Sequence, residues 1–359
     1  MLNLFINNQN IMKKSQLILA ATLVVFAACT KSNVPAPKAT TDQGEIGFNV
    51  VNQKATKAND AIITGTTYAH DNTFQVWGWQ SEAGDFSDVA ANAASNFMSN
   101  LTISWTGGRE SRTEAWRNAD KYYYWPFTGK ISFLAVHPST VAPSTTAWDA
   151  TNKKPQATVA DYTITPGSNE TVDLMFATNE GARRADPLPM VFKHALSQIE
   201  VKVKTQEDYT ADVAFDVESV TFNNIDLSGD ATYANDAITW ADNATQTESW
   251  TYYDTVLEDI TKDYQVYGAA KVNIPQPATV ADNAATTDTI EGTYLTIGYS
   301  MEQTGSAKIT GTVNISKPQV WEPGKKYVYT LNFKLNEILF DPTVTDWIDV
   351  NVDTINILD

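Results

Sequence analysis

The chain is short of the residues most chemistry needs. A single cysteine, Cys29, rules out an internal disulfide. Three histidines, His70, His137 and His194, are too scattered for a local metal motif, and no HExxH, GxSxG or glycine-rich phosphate loop occurs. The reading is therefore no metal, no cofactor and no enzyme. With 42 Asp and Glu, carboxylate pairs are too plentiful for any of them to mark a glycosidase. Basic residues are the minority, 25 against 42, for a formal net charge of −17. That excess argues against nucleic acid and anionic headgroups as partners and suits a solvated extracellular surface. Asp226 to Asp242 is acidic but lacks EF-hand spacing.

Helical patterning is scarce too. Asp85 to Asn100 spaces Phe86, Val89, Ala93 and Phe97 at threes and fours and predicts a short amphipathic helix, the one such signal in the first half. Elsewhere the pattern alternates. Ile199, Val201 and Val203 interleave with Glu200, Lys202 and Lys204, and Tyr327 to Leu335 alternates likewise. Thr73 to Trp79 and Ile131 to Val136 are apolar on both parities and predict buried central strands, with Thr128-Gly129 turning the chain between strands. Trp77 and Trp79 share a parity, which admits a sugar platform but fits core packing better. About eighteen strands can be counted, so the class is all-β, as two antiparallel sandwiches in tandem.

The length of 359 residues suits two domains, and Asn179 to Pro189, rich in Gly, Pro and charge, predicts a boundary near 185. Residues 45–185 form the first domain and 186–359 the second. Arg183-Arg184 in that stretch reads as a solvated basic pair.

Lys13 and Lys14, an apolar run from Leu17 to Phe26, and Ala27-Ala28-Cys29 make residues 1–28 a secretory signal. The run is too short to span a bilayer. With Cys after Phe-Ala-Ala the stretch looks like a lipobox, which implies lipid on Cys29 and, with Thr30 next, an outer-membrane destination. Losing Lys13 and Lys14 with the signal moves the formal net charge from −17 to −19. Residues 29–44, with two Pro and no aromatics, predict a disordered tether.

Glu45 to Lys57 then opens the fold. Ile46, Phe48 and Val50 share one side of an extended chain, and Lys54 and Lys57 follow in an Ala/Thr-rich segment without apolar periodicity, open to a trypsin-like protease. Residues 45–57 are thus read as a removable first strand. At the other end, residues 344–358 predict a last strand with Ile348, Val350 and Val352 on one face and Ile355 and Ile357 on the other.

The order of these features resembles the fimbrillin family of Bacteroidales surface proteins. The resemblance rests on the lipobox, the Ile46-Gly47-Phe48 strand before Thr56-Lys57-Ala58, and Asn96-Phe97-Met98. It continues through Trp116 with Lys121 to Pro126 and Ile131 to Pro138, then Phe192 to Val203, and Trp321 to Tyr329 with Val344 to Trp347. It implies two transthyretin-like Greek-key sandwich domains in a fimbrial subunit, exported as a lipoprotein. A surface protease would remove the first strand, and other copies or related subunits would polymerise by strand exchange. Family stalk subunits are usually cut after Arg, whereas no Arg lies between Cys29 and Thr73 here. Lys54 or Lys57 must serve, or the chain is an uncut anchor, a tip subunit, or a non-polymerising surface lipoprotein that binds glycan or another ligand.

Overall fold

The computed structural model describes residues 44–52, 68–107, 114–165, 172–184, 186–209, 213–242, 248–276, 292–316, 320–334 and 337–346. Every regular element among them is a strand, as the alternating pattern requires. The first half contains β1 (Phe48–Asn52), β2 (Phe74–Ser81), β3 (Met98–Gly107), β4 (Glu114–Arg117), β5 (Lys130–His137), β6 (Thr145–Asp149), β7 (Lys154–Thr163), β8 (Met175–Gly181) and β9 (Leu188–His194). Seven of these close into a barrel in the order β1-β4-β3-β2-β5-β8-β9. The stretch expected to be a domain boundary is the connection between β8 and β9, which pair antiparallel within that barrel.

The two-faced strands explain how the barrel joins the rest. Phe74 and Val76 of β2, with Ile131, Phe133 and Ala135 of β5, point into the barrel core. Trp77, Trp79, Leu134 and Val136, on the opposite parity, belong to a second and larger core.

The second half supplies β10 (Ser197–Thr205), β11 (Val213–Ile225), β12 (Ser228–Ala234), β13 (Ala237–Asp242), β14 (Glu248–Tyr253), β15 (Gln265–Val266), β16 (Lys271–Asn273), β17 (Tyr294–Gln303), β18 (Ile309–Ser316), β19 (Lys325–Lys334) and β20 (Glu337–Asp346). One sheet runs β15-β10-β19-β20 with β16 beside β10, and a second runs β14-β11-β17-β18. Their facing sides bury Ile199, Val201, Phe222, Trp250, Tyr329 and Phe333. A third sheet, β13-β12-β7-β6, takes one hairpin from each half of the sequence. At the tip of β12-β13, Asn235 and Asp236 hold φ of 50° and 62°, the left-handed pair of a tight hairpin turn. The Asp236 carboxylate accepts from Lys154, Thr178 and Tyr233, fastening the tip to β7 and β8.

The expected helix at 85–100 is absent. Phe86 sits at φ 60°, which an α-helix does not tolerate. The Asp88 carboxylate accepts from Ser81 Oγ and from the amides of Glu82 and Ala83. Ser81 Oγ in turn accepts from the Phe86 amide, so side-chain hydrogen bonds fold the start of the segment back onto the end of β2. Tyr122 to Trp125 forms no regular strand and lies against the chain before β1 through an isolated Glu45-Tyr124 bridge and the Trp125 amide, which donates to Gly44 O.

Candidate functional site

The site is the slot that β1 occupies. β1 lies between β4 and β9, antiparallel to the first with Phe48 opposite Trp116, and parallel to the second from Phe48-Leu188 to Asn52-Phe192. It therefore closes the barrel. Before β1 the chain is held by the Ile46 amide, which donates to Tyr123 O (2.7 Å), and by Gly47 O, which accepts from the Leu188 amide (2.8 Å).

Ile46, Phe48 and Val50, read from the sequence as the inward face, all enter the barrel core, at 3%, 1% and 8% exposure. The Phe48 ring meets Phe133 edge-on at 5.2 Å and Phe74 at 6.2 Å. Burial of this order contributes roughly 1.5–3 kcal/mol per side chain, so an emptied slot is strongly favoured to refill.

Two features of the slot were not legible beforehand. Glu45 places its carboxylate 3.5 Å from Arg117 Nε on β4, with both side chains nearly fully buried. Removing one member of such a pair costs about 3–5 kcal/mol. Beside it, a Cβ on Gly47 would lie 3.2 Å from both the Arg117 guanidinium and the Ala115 methyl, so glycine leaves room for the guanidinium. Tyr68, the first described residue after β1, closes the core. Its ring stacks on Phe192 at 5.7 Å and meets Trp116 edge-on at 4.8 Å, and its hydroxyl lies 2.6 Å from His137 Nδ1. An isolated aromatic carries no periodic signal, so nothing in the sequence around Tyr68 singles it out as core.

A family model described as fimbrillin-like matches residues 56–347, most of the chain. This chain belongs to the fimbrillin-like family. Among solved structures, this fimbrillin-like chain is similar to a fimbrial protein from Bacteroides vulgatus, with TM-score 0.60 and 17% identity over 85% of this chain and 99% of that one. It is similar also to a candidate cell adhesion protein from Bacteroides ovatus, with TM-score 0.50 and 15% identity over 86% and 99%. At such identities the likeness is one of fold. No curated protein matches the sequence.

The remaining sequence-predicted residues of this fimbrillin-like chain fall in two groups. Cys29, Lys54, Lys57, Ile348, Val350, Val352, Ile355 and Ile357 lie outside the described residues. Trp77 and Trp79 are buried, and Trp79 Nε1 donates to Ala93 O at 2.9 Å, so they are core and offer no sugar platform. His137 and His194 are buried as well, His194 Nδ1 lying 2.6 Å from Asp173 Oδ2. His70 stacks on Trp105 at 3.9 Å.

Proposed function

We propose that this chain is a structural subunit of a surface fimbria, exported as a lipoprotein through Cys29 and polymerised by strand exchange once its first strand is cut away. The observation that carries the reading is the seat of β1, an interior strand of a closed barrel whose inward side chains are buried while its sequence continues directly to Lys54 and Lys57. As long as β1 belongs to the same chain, it competes for the slot at an effective concentration of about millimolar. A cut after Lys54 or Lys57 ends that advantage. It also parts the barrel from Cys29, so release from the outer membrane and competence to polymerise become one event.

The vacated slot has unpaired backbone on β4 and β9 and an apolar floor, which suits an alternating strand added by main-chain pairing. The C-terminal segment with Ile348, Val350, Val352, Ile355 and Ile357 is the donor in this reading. No Lys or Arg follows Lys334, so the protease that frees the slot leaves the donor whole. The missing Arg before Thr73 favours one other reading, an uncut anchor or tip subunit in which β1 stays in place.

Limited trypsin treatment of the mature chain, with N-terminal sequencing and unheated SDS gels, tests this. The polymerising subunit gives one early cut after Lys54 or Lys57, followed by SDS-resistant ladders. A chain that is cut there and stays monomeric refutes polymerisation, and fibres from cells that retain residues 30–53 refute the cut.

A further inference from the structure

We propose that Arg117 reads a carboxylate on whichever strand fills the slot, and that Asp349 or Asp353 of a second copy takes the place of Glu45. This rests on the reading above, in which a second copy's C-terminal segment is the occupant.

The inward face of the slot has little power to choose. Ile46, Phe48 and Val50 enter a general apolar core, and many alternating strands match it. Selection falls to the other parity, where Glu45 and Gly47 flank one guanidinium. The Glu45 carboxylate is 3.5 Å from Arg117 Nε, with side-chain exposures of 7% for Arg117 and 2% for Glu45. The place of Gly47 is roofed by the same guanidinium at 3.2 Å. When the first strand leaves, Glu45 leaves with it and Arg117 stays on β4. An occupant without an acid at that point must cover a guanidinium that has lost its carboxylate.

The sequence beyond β20 meets this requirement in a specific register. Thirteen residues follow Asp346, and they contain Asp349-Val350-Asn351-Val352-Asp353, which reads alike in both directions. Laid over positions 45–49 in either direction, these five residues put an Asp at Glu45 and a Val at both Ile46 and Phe48, the latter the first residue of β1. Entering in the direction of β1, Val350 takes the place of Ile46, Asp349 that of Glu45 and Asn351 that of Gly47, where the added Cβ requires the flexible Arg117 side chain, 3.2 Å away, to shift by a few tenths of an ångström. Entering in the opposite direction, Val352, Val350 and Ile348 replace Ile46, Phe48 and Val50, and Asp353 meets Arg117. Registers that put Ile355 or Ile357 at the Ile46 position bring Thr354, Asn356 or Leu358 to the guanidinium, with no charge to offer. The acid therefore fixes register as well as affinity.

The test measures the rate of SDS-resistant ladder formation by the trypsin-trimmed mature chain. Wild type is compared with D349N/D353N, R117M and their combination. D349N/D353N leaves every barrel residue intact, so its result holds even if R117M folds poorly. The expectation is that D349N/D353N slows assembly at least about tenfold, that R117M does the same, and that the combination is no slower than either. D349N/D353N assembling at the wild-type rate overturns the proposal. So does a D349N/D353N effect that persists undiminished in the R117M background, since the acids would then act elsewhere. Trimmed wild type that forms no ladder is a different failure, which removes the polymerising reading itself.

Discussion

Tyr68 and His137 meet across the barrel floor, hydroxyl to Nδ1 at 2.6 Å, 69 positions apart in sequence. Tyr68 follows both expected cut sites, so it stays with the barrel after the first strand has gone. Tyr68→Phe keeps the ring packing and loses the hydrogen bond, and is expected to cost about 1–3 kcal/mol. Tyr68→Ala is expected to cost about 3–5 kcal/mol because it also empties the space against Phe192 and Trp116. Urea denaturation of the uncut chain separates the two effects, and equal losses would mean the hydroxyl contact dominates.

Burial holds the pKa of His137 down at about 4, with nearby Asp173 raising it only in part and His194 lowering it further. In the unfolded chain the imidazole titrates near 6.5. Between these values the unfolded chain binds a proton that the native barrel does not. Stability therefore falls as pH drops through that window, by about 3 kcal/mol in all. The loss should be smaller in His137→Gln. A His137→Gln chain that loses as much stability as wild type between pH 7 and pH 4 would assign the effect to other groups.

Phe48→Ala should destabilise the uncut chain by about 3–5 kcal/mol, since a 1%-exposed ring packed on Phe74 and Phe133 is removed. Once the first strand has been cut and exchanged, the same substitution should have no effect on the assembled form. Melting the uncut chain and the assembled form side by side checks both halves of this expectation.

Gly129 has φ +78°, and a Cβ there would lie 2.1 Å from the carbonyl oxygen of Ser81. Backbone cannot yield as a side chain tip can, so Gly129→Ala should cost more than the ~1 kcal/mol of an ordinary left-handed replacement. Thermal unfolding reads this directly. A shift no larger than that of Gly305→Ala, whose added Cβ meets nothing within 4 Å, would contradict it.

Strands whose neighbours cover one face were plain in the chain, as Ile199, Val201 and Val203 show, because alternation is a local property. Two-faced strands such as β2 and β5 were also legible, although the sequence did not say that one face would line a barrel and the other a separate core. The β12-β13 hairpin was missed because Gly229, Asp230 and its four Ala, all weak strand formers, dilute the signal of Thr232, Tyr233, Ile238 and Trp240, and its place comes from β7 pairing alongside it. The Phe86, Val89 and Ala93 spacing was real but produced no helix, since Ser81 and Asp88 captured the local amides. Gly, Pro and charge at 179–189 marked a turn, and such composition does not distinguish a hairpin from a linker.

By itself the sequence determined the all-β class, the inward identity of Ile46, Phe48 and Val50, and the basic residues that follow them. Those follow from side-chain period and local chemistry. Only the tertiary structure decided that this strand would lie between β4 and β9, and that Glu45 and Gly47 would meet Arg117. Those contacts join residues some seventy positions or more apart, and no local pattern encodes which distant backbone will supply the missing hydrogen bonds.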